Sequence, residues 1–354
     1  MRSLAAIGLA TLLAAGCGGG AASPVPSATS PTASTSAGPT RSPEPVVFMA
    51  GFKAQANLPF AAVYLAEKRG YFREQGIDLE IQHSAGQSEH VRLLATGRVH
   101  FSTGSPGDVL KRISGADLPI LQIAVVGQRG EQAFAVRADS PIQHPRDWEG
   151  RIVGYKGTVS ADYLAILGAA GVDRTRISEV AVGFDPRVLI DGRVDVYPVF
   201  ASNEPDTLAR LGVAVRLFEP NDFGVPSLGL GFITSHEIAE ARPDLVRRFL
   251  RAALRGLAEA VAEPEAAVDA VMRHAPTEDR AHQRYMLDTE IAAALTDRTR
   301  ANGLGWTTRE QWENLQEMLL SVGAIPERVD LDRAYTDRFL REVYREGVLV
   351  WTTE

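Results

Sequence analysis

Strand-like and helix-like segments alternate through most of this chain, two extended runs interrupt the alternation, and helices dominate its last third. Together these observations predict an α/β protein of two lobes, a clamshell joined by a two-strand hinge, each lobe a mostly parallel sheet covered by helices. Length agrees, because roughly 310 residues follow position 45, more than one small domain needs.

Residues 46–51 are a short apolar run of the kind a buried strand shows. Residues 59–69 space Phe60, Val63, Tyr64 and Leu65 as one face of a helix, and Gly70 stops it. A strand follows at 77–82, then a helix at 88–96 with Val91, Leu94 and Ala95 on one face and Gly97 as its stop. Strands at 99–102 and 120–126 flank a helix around 108–113. A second unit of the same kind begins after Gln132–Arg137. It has a strand at 152–155, a helix at Ala161–Ala170 with Leu164 and Leu167 facing in, and a strand at 179–182. A short helix at 188–191 is closed by Gly192 before a strand at 194–199, and 227–234 are one more apolar run. Beyond it, 239–262 carry Val246, Phe249, Leu250, Ala253, Leu254, Leu257 and Val261 at helical spacing, and 311–322 and 332–344 continue the series. Gln132–Arg137 and 227–234 are the candidate crossings. Residues 46–132 with 235–354 then form the first lobe and 133–234 the second, and the cleft between lobes is the natural place for a small molecule.

The first 45 residues carry a different message. Arg2, an apolar run from Leu4 to Ala15, and Leu13-Ala14-Ala15-Gly16-Cys17 have the layout of an export signal. Small residues before the only cysteine in 354 resemble a bacterial lipobox, with Ala14 where leucine is usual. Lipidation of Cys17 would anchor the mature chain on the extracytoplasmic face of the cell membrane, since the apolar run is too short to span a bilayer. An ordinary secretory signal with an incidental cysteine is the alternative. Residues 18–45 are almost wholly Gly, Ala, Ser, Thr and Pro and predict a disordered tether, on the order of 80–90 Å long if extended. A single cysteine leaves no intramolecular disulfide, so the domain must stand on its core.

Composition excludes several functions. A hydrophobic content of 45% and a charged content of 23% are ordinary for a globular chain. A net charge of −7 without a basic patch argues against nucleic acid as a partner. The seven histidines are scattered, and His236-Glu237-Ile238-Ala239-Glu240 lacks the second histidine of a zinc-protease helix, so no metal is expected. His274 and His282 read as solvated surface. Gly229-Leu230-Gly231 lacks the third glycine of a dinucleotide loop, and Trp306 and Trp312 read as a helix start and core packing. No nucleophile–base pair stands out, and the chain is not expected to be an enzyme.

Asn57-Leu58-Pro59-Phe60, followed by Ala66-Glu67-Lys68-Arg69-Gly70-Tyr71-Phe72-Arg73-Glu74-Gln75-Gly76-Ile77-Asp78, resembles the opening of solute-binding proteins of pyrimidine-precursor and alkanesulfonate importers, the NMT1/THI5-like family. Asp147-Trp148-Glu149-Gly150-Arg151-Ile152-Val153-Gly154-Tyr155 looks like its second-lobe opening, and Asp191-Gly192-Arg193-Val194-Asp195 like its "G-x-V-D" strand start. The resemblance implies a periplasmic-binding-protein fold of the second type, a small heteroaromatic ligand and an ABC permease as partner, with the protein itself a monomer. Gly127-Gln128-Arg129-Gly130, Phe184-Asp185-Pro186-Arg187 and Asn203-Glu204-Pro205-Asp206 look most like the riboflavin-binding branch, and the branch that binds thiamine pyrimidine precursors is the alternative. One eukaryotic branch is an enzyme that uses pyridoxal phosphate. Aligned on Gly97-Arg98-Val99-His100, its lysine and histidine fall on Gly104 and Asp108, and its cysteine-rich segment falls on 227–233, which has no cysteine. That chemistry is unsupported here, and no cofactor is expected.

The resemblance implies ligand contacts in the loops at the carboxyl ends of the strands, on the facing edges of the two lobes, in agreement with the general rule for open α/β sheets. The first lobe then offers Lys53, Asn57 and Phe60, the Gly86-Gln87-Ser88 turn, and Thr103. Gly86 allows close backbone approach, and Ser88 can cap the helix after it. The second lobe offers Tyr155, Thr158, Tyr197, Asn203 and Glu204. Tyr155 and Tyr197 are candidate stacking faces, with inter-lobe core as the alternative. Asn203 and Glu204 can read ring nitrogens and carbonyls, or Glu204 can serve as a helix N-terminal acid.

Overall fold

The computed structural model describes residues 43–352. Cys17, the signal and the tether up to residue 42 lie outside the described residues. Ten strands build the two lobes: β1 (Glu44–Ala50), β2 (Ile77–His83), β3 (Phe101–Gly104), β4 (Ile120–Val125), β5 (Gln132–Arg137), β6 (Ile152–Lys156), β7 (Ser178–Val182), β8 (Tyr197–Phe200), β9 (Val215–Phe218) and β10 (Gly231–Ser235).

The first sheet runs β2-β1-β3-β10-β4. Its β1 pairs in parallel with β2 and β3, and β10 lies antiparallel between β3 and β4. In the second lobe β5 lies antiparallel between β8 and β9, β6 pairs in parallel with β7, and a parallel bridge from Val153 to Val196 joins the two pieces. Read across, the order is β7-β6-β8-β5-β9, the same plan with β5 in the place of β10. In each sheet the antiparallel strand is the one arriving from the other lobe. Both have the buried, apolar character such a central position demands, Phe134 and Val136 in β5 and Phe232 and Ile233 in β10.

The first core gathers Phe48, Phe72, Phe101 and Phe232 around Phe249, whose ring stacks on Phe101 at 3.9 Å. Full burial of each such ring is worth roughly 1.5–3 kcal/mol. Phe134, Trp148, Tyr163 and Phe218 form the aromatic centre of the second lobe.

Gln132–Arg137, expected as a crossing, is the paired strand β5, because its alternating Ala133, Phe134, Ala135 and Val136 fill both faces of a sheet. The chain changes lobe just before it, at 126–131, and returns at 225–230. These two connections touch: Gly229 N–H donates to Gly127 O at 2.9 Å and Gly127 N–H to Leu230 O at 2.8 Å. A Cβ on Gly127 would stand 2.8 Å from Gly229 Cα, so glycine is needed for the approach. Pro243 splits the helix expected over 239–262 into His236–Ala241 and Pro243–Ala262. The expected 332–344 helix is two short ones, Leu331–Ala334 and Arg338–Val343. Strand β9 and the Arg280–Ala294 helix were not singled out in the sequence. Among the described residues no helix is long and apolar enough to cross a membrane.

Candidate functional site

A cavity of about 500 Å³ opens where the two lobes meet the connections. Leu58 and Pro59 line it from the first lobe, Ala201 and Ser202 from the end of β8, and Thr289 and Glu290 from the Arg280–Ala294 helix. The connections contribute Gly127, Arg129, Gly130, Glu131 and Leu230. Pairing of Gln132 with Phe200, and the Ala201 N–H bond to Glu131 O at 2.9 Å, hold the carboxyl edge of the second sheet against this floor.

Two glutamates, Glu290 buried and Glu131 half-buried, lie in each other's field here. Glu290 accepts from Asn57 Nδ2 at 2.6 Å, from Leu58 N–H at 2.6 Å and from Ser202 Oγ at 3.3 Å. Leu58 begins the Leu58–Arg69 helix, so the carboxyl takes one of the N–H groups a helix start leaves free. Burial pushes the Glu290 carboxyl up from its ordinary value. Glu131 is also pushed up, chiefly by burial and then by the charge of Glu290. The cavity's one guanidinium, Arg129, is taken up by Glu219 at 2.8 Å and Asp222 at 2.6 Å. The polar lining therefore holds four carboxyl groups and no unpaired cation. Asp162, in the first turn of its helix, receives Ser227 Oγ at 3.2 Å and is likewise pushed up by burial.

The Arg280–Ala294 helix ties both lobes together. Gln283 Oε1 accepts Ala56 N–H at 2.7 Å on the first-lobe side. On the other side Tyr285 donates to Ala201 O at 3.2 Å, and the His282 ring meets Asp206 Oδ2 at 2.7 Å and Asn203 Oδ1 at 2.9 Å. His282 is thus an inter-lobe contact and not free surface. His274 stacks on Tyr64 at 4.3 Å.

Of the residues singled out in the sequence, Asn57 sits at the cavity through Glu290. Asn203 meets His282, and buried Glu204 takes the Lys156 ammonium and the Phe200 N–H. Tyr197 is fully enclosed with Leu189, Val194 and Leu208, its hydroxyl on Gly183 O, so it offers no ring face to the cleft. Phe60 is core, and Thr103 Oγ1 accepts Gly51 N–H inside the first sheet's edge. Lys53 is exposed and paired with Glu278, Thr158 is exposed, and Tyr155 is half-buried on β6. Gly86, Gln87 and Ser88 all have positive φ. Ser88 does not cap its helix, because its left-handed backbone turns the hydroxyl to Arg112, and Glu89 instead reaches back to Ala85 N–H.

Sequence reasoning missed Glu131 and Glu290, and within the second-lobe loop 155–160 it chose Tyr155 and Thr158 and not Lys156 between them. A signal for Glu290 existed: it falls on the stripe Gln283, Met286, Leu287, Ala294, the buried face of its helix. Lys156 Nζ lies 4.9–5.4 Å from the ring centroids of Phe184, Tyr197 and Phe200, a grouping spread over three strand ends.

The family described as NMT1/THI5 like matches residues 57–267. The riboflavin-binding protein RibY of Chloroflexus aurantiacus is 27% identical over 328 residues, covering 89% of this chain and 92% of that one. A formylaminopyrimidine-binding protein of Halalkalibacterium halodurans is 28% identical over 73% of this chain and 80% of its own length. A pyrimidine phosphate synthase of Legionella pneumophila is 25% identical over 78% of this chain and 87% of its own. Among solved structures, the sulfonate-binding protein SsuA from Methylobacillus flagellatus superposes with a TM-score of 0.64 at 14% identity, over 85% of this chain and 94% of that one. That likeness establishes a periplasmic-binding-protein fold of two α/β lobes.

Proposed function

The chain belongs to the NMT1/THI5-like family, and from that premise we propose that it is the solute-binding lipoprotein of an ABC importer, capturing riboflavin outside the cytoplasmic membrane. Cys17 carries the anchor in this reading, and a membrane permease receives the ligand. The observation that carries it is the inter-lobe cavity, whose polar lining holds carboxyl groups and no unpaired cation. A cavity of about 500 Å³ falls in the range of small-molecule sites. Its chemistry suits a neutral ligand rich in hydrogen-bond donors, as a ribityl chain is, and opposes a sulfonate, which needs a cation or free N–H groups. The likeness to the Chloroflexus riboflavin-binding protein over most of both chains supports the same ligand class.

Mechanism is closure: a ligand that contacts both lobes favours the closed arrangement, and the permease recognises that state. A thiamine pyrimidine precursor is the second reading, favoured by the carboxyl pair, since an aminopyrimidine edge donates to a carboxylate. Fluorescence titration of riboflavin with the purified protein tests the proposal. Saturable quenching at micromolar concentration or below is expected. A flat titration beside calorimetric heat from formylaminopyrimidine would transfer the assignment to the second reading.

A further inference from the structure

Three strands of the second lobe end level with one another at the cleft. Lys156 closes β6 opposite Val182 of β7, Phe184 follows β7 by two residues, and Phe200 closes β8 opposite Gln132. Phe184 is 73% exposed and Phe200 42% exposed, two of six large apolar side chains so exposed among the described residues. Apolar rings left in water at a strand end are a cost that a bound partner removes. Beside them the Lys156 ammonium sits 5.3 Å from the Phe184 centroid and 5.4 Å from that of Phe200. Glu204 anchors it, and the other Glu204 oxygen takes Phe200 N–H at 2.8 Å, so one carboxylate positions both the cation and the ring-bearing strand end. An ammonium has three N–H groups, and Glu204 is its only hydrogen-bond partner among the described residues.

We propose that Phe184 and Phe200 form the surface on which the ring of a flat heteroaromatic ligand stacks, with Lys156 donating to a carbonyl of that ring. The proposal rests on the solute-binding reading above and names its ring-recognition surface. Continuity argues for a ligand as the occupant: the two residues after Phe200, Ala201 and Ser202, already line the inter-lobe cavity. The cavity then takes the donor-rich part of the molecule and the aromatic edge takes its ring. Chemistry also chooses between ligands. An isoalloxazine ring carries carbonyl oxygens for Lys156, whereas an aminopyrimidine ring offers only its weaker-accepting nitrogens, its formyl oxygen lying on a side arm.

The test titrates riboflavin and formylaminopyrimidine into the wild type, the Phe184→Ala/Phe200→Ala double variant and Lys156→Met/Glu204→Gln, the last paired so that no charge stays buried alone. Thermal melts accompany each, and Phe184→Ala should melt with the wild type because its ring packs on little. The double alanine variant should weaken riboflavin at least tenfold, with Phe184→Tyr/Phe200→Tyr restoring most of it. The lysine variant should weaken riboflavin roughly tenfold and the pyrimidine by less. Wild-type affinity retained within twofold by the double alanine variant overturns the stacking surface while leaving the function in place. If the wild type binds only the pyrimidine, the stacking surface stands only if the double alanine variant loses that binding tenfold, and the carbonyl role of Lys156 falls. A wild type silent to both ligands overturns the function and this surface together.

Discussion

Glu290→Ala removes the acceptor that holds the start of the Leu58–Arg69 helix. Two donors lose their partner, Leu58 N–H and the Asn57 amide, both now at 2.6 Å, and Ser202 loses a longer bond at 3.3 Å. A buried donor left unsatisfied costs about 1–3 kcal/mol. Two of them give about 2–6 kcal/mol, and relief of a desolvated carboxyl together with water entering from the adjoining cavity returns part of this. A net loss of about 2–4 kcal/mol is expected. For a domain of this size each kcal/mol shifts the melting temperature by about 2 °C, so the variant should melt about 4–8 °C below the wild type. Differential scanning calorimetry at neutral pH measures it, with Glu290→Gln as the control that keeps one acceptor and most of the volume and loses less than half as much. A Glu290→Ala protein melting within about 1 °C of the wild type would refute the reasoning, because the three bonds would then contribute nothing net.

Two further outcomes follow from the same groups. Folding raises the Glu131 and Glu290 carboxyls from an ordinary 4.5, to about 8 and about 7, so the folded state holds protons that the unfolded chain releases. Their contribution is fully present below about pH 4.5 and is lost as pH rises through about 7 to 8, so melts taken from about pH 5 to about pH 8 should show falling stability, and Glu131→Gln should flatten that slope. Riboflavin 5′-phosphate should bind at least tenfold more weakly than riboflavin, because the lining offers its dianion no unpaired cation. Competition titration checks this, and equal affinities would contradict it.

The alternation of strands and helices was legible because buried strands are short apolar runs, as in Ile120–Val125, and because glycine or proline marks most helix ends. What stayed hidden was carried by polar residues whose partners are distant in sequence. Val215–Phe218 contains Arg216, which reads as a break in the apolar pattern until its guanidinium is seen to reach Ile142 O at 2.6 Å. The Arg280–Ala294 helix looks like solvated surface because two of its five buried side chains are polar, yet Gln283 and Glu290 meet backbone N–H groups more than 200 positions away. Asn57, which meets Glu290 at the cavity, stands in a motif visible in the sequence. That Tyr197 is enclosed while Phe200 is exposed was not visible, because the two lie at opposite ends of a four-residue strand and on opposite faces of its sheet. Here β5 begins at Gln132, opposite Phe200, and leaves that ring at the rim.

On the clamshell reading, the Arg280–Ala294 helix also decides how the lobes part. Its far end is tied to the connection, since Ala293 O accepts Gln128 N–H at 3.2 Å, and its bonds to the second lobe are strung along it at Glu290, Tyr285 and His282. Helical rise puts Glu290 about 4–5 Å from that tie and His282 about 16 Å from it. Rotation of the second lobe by about 20° around the tie would displace its partners by about 1.5 Å at Glu290 and by about 5–6 Å at His282. Either shift ends a direct hydrogen bond, but the first leaves the partners close enough for a water to bridge them and the second does not. On this reading the His282 contacts with Asp206 and Asn203 are the clasp, and the Ala293–Gln128 tie is the fulcrum. Net values of about 0.5–1.5 kcal/mol per bond make the clasp worth about 1–3 kcal/mol. That is weak enough for thermal opening and strong enough for ligand contacts on both walls to decide which state the permease meets.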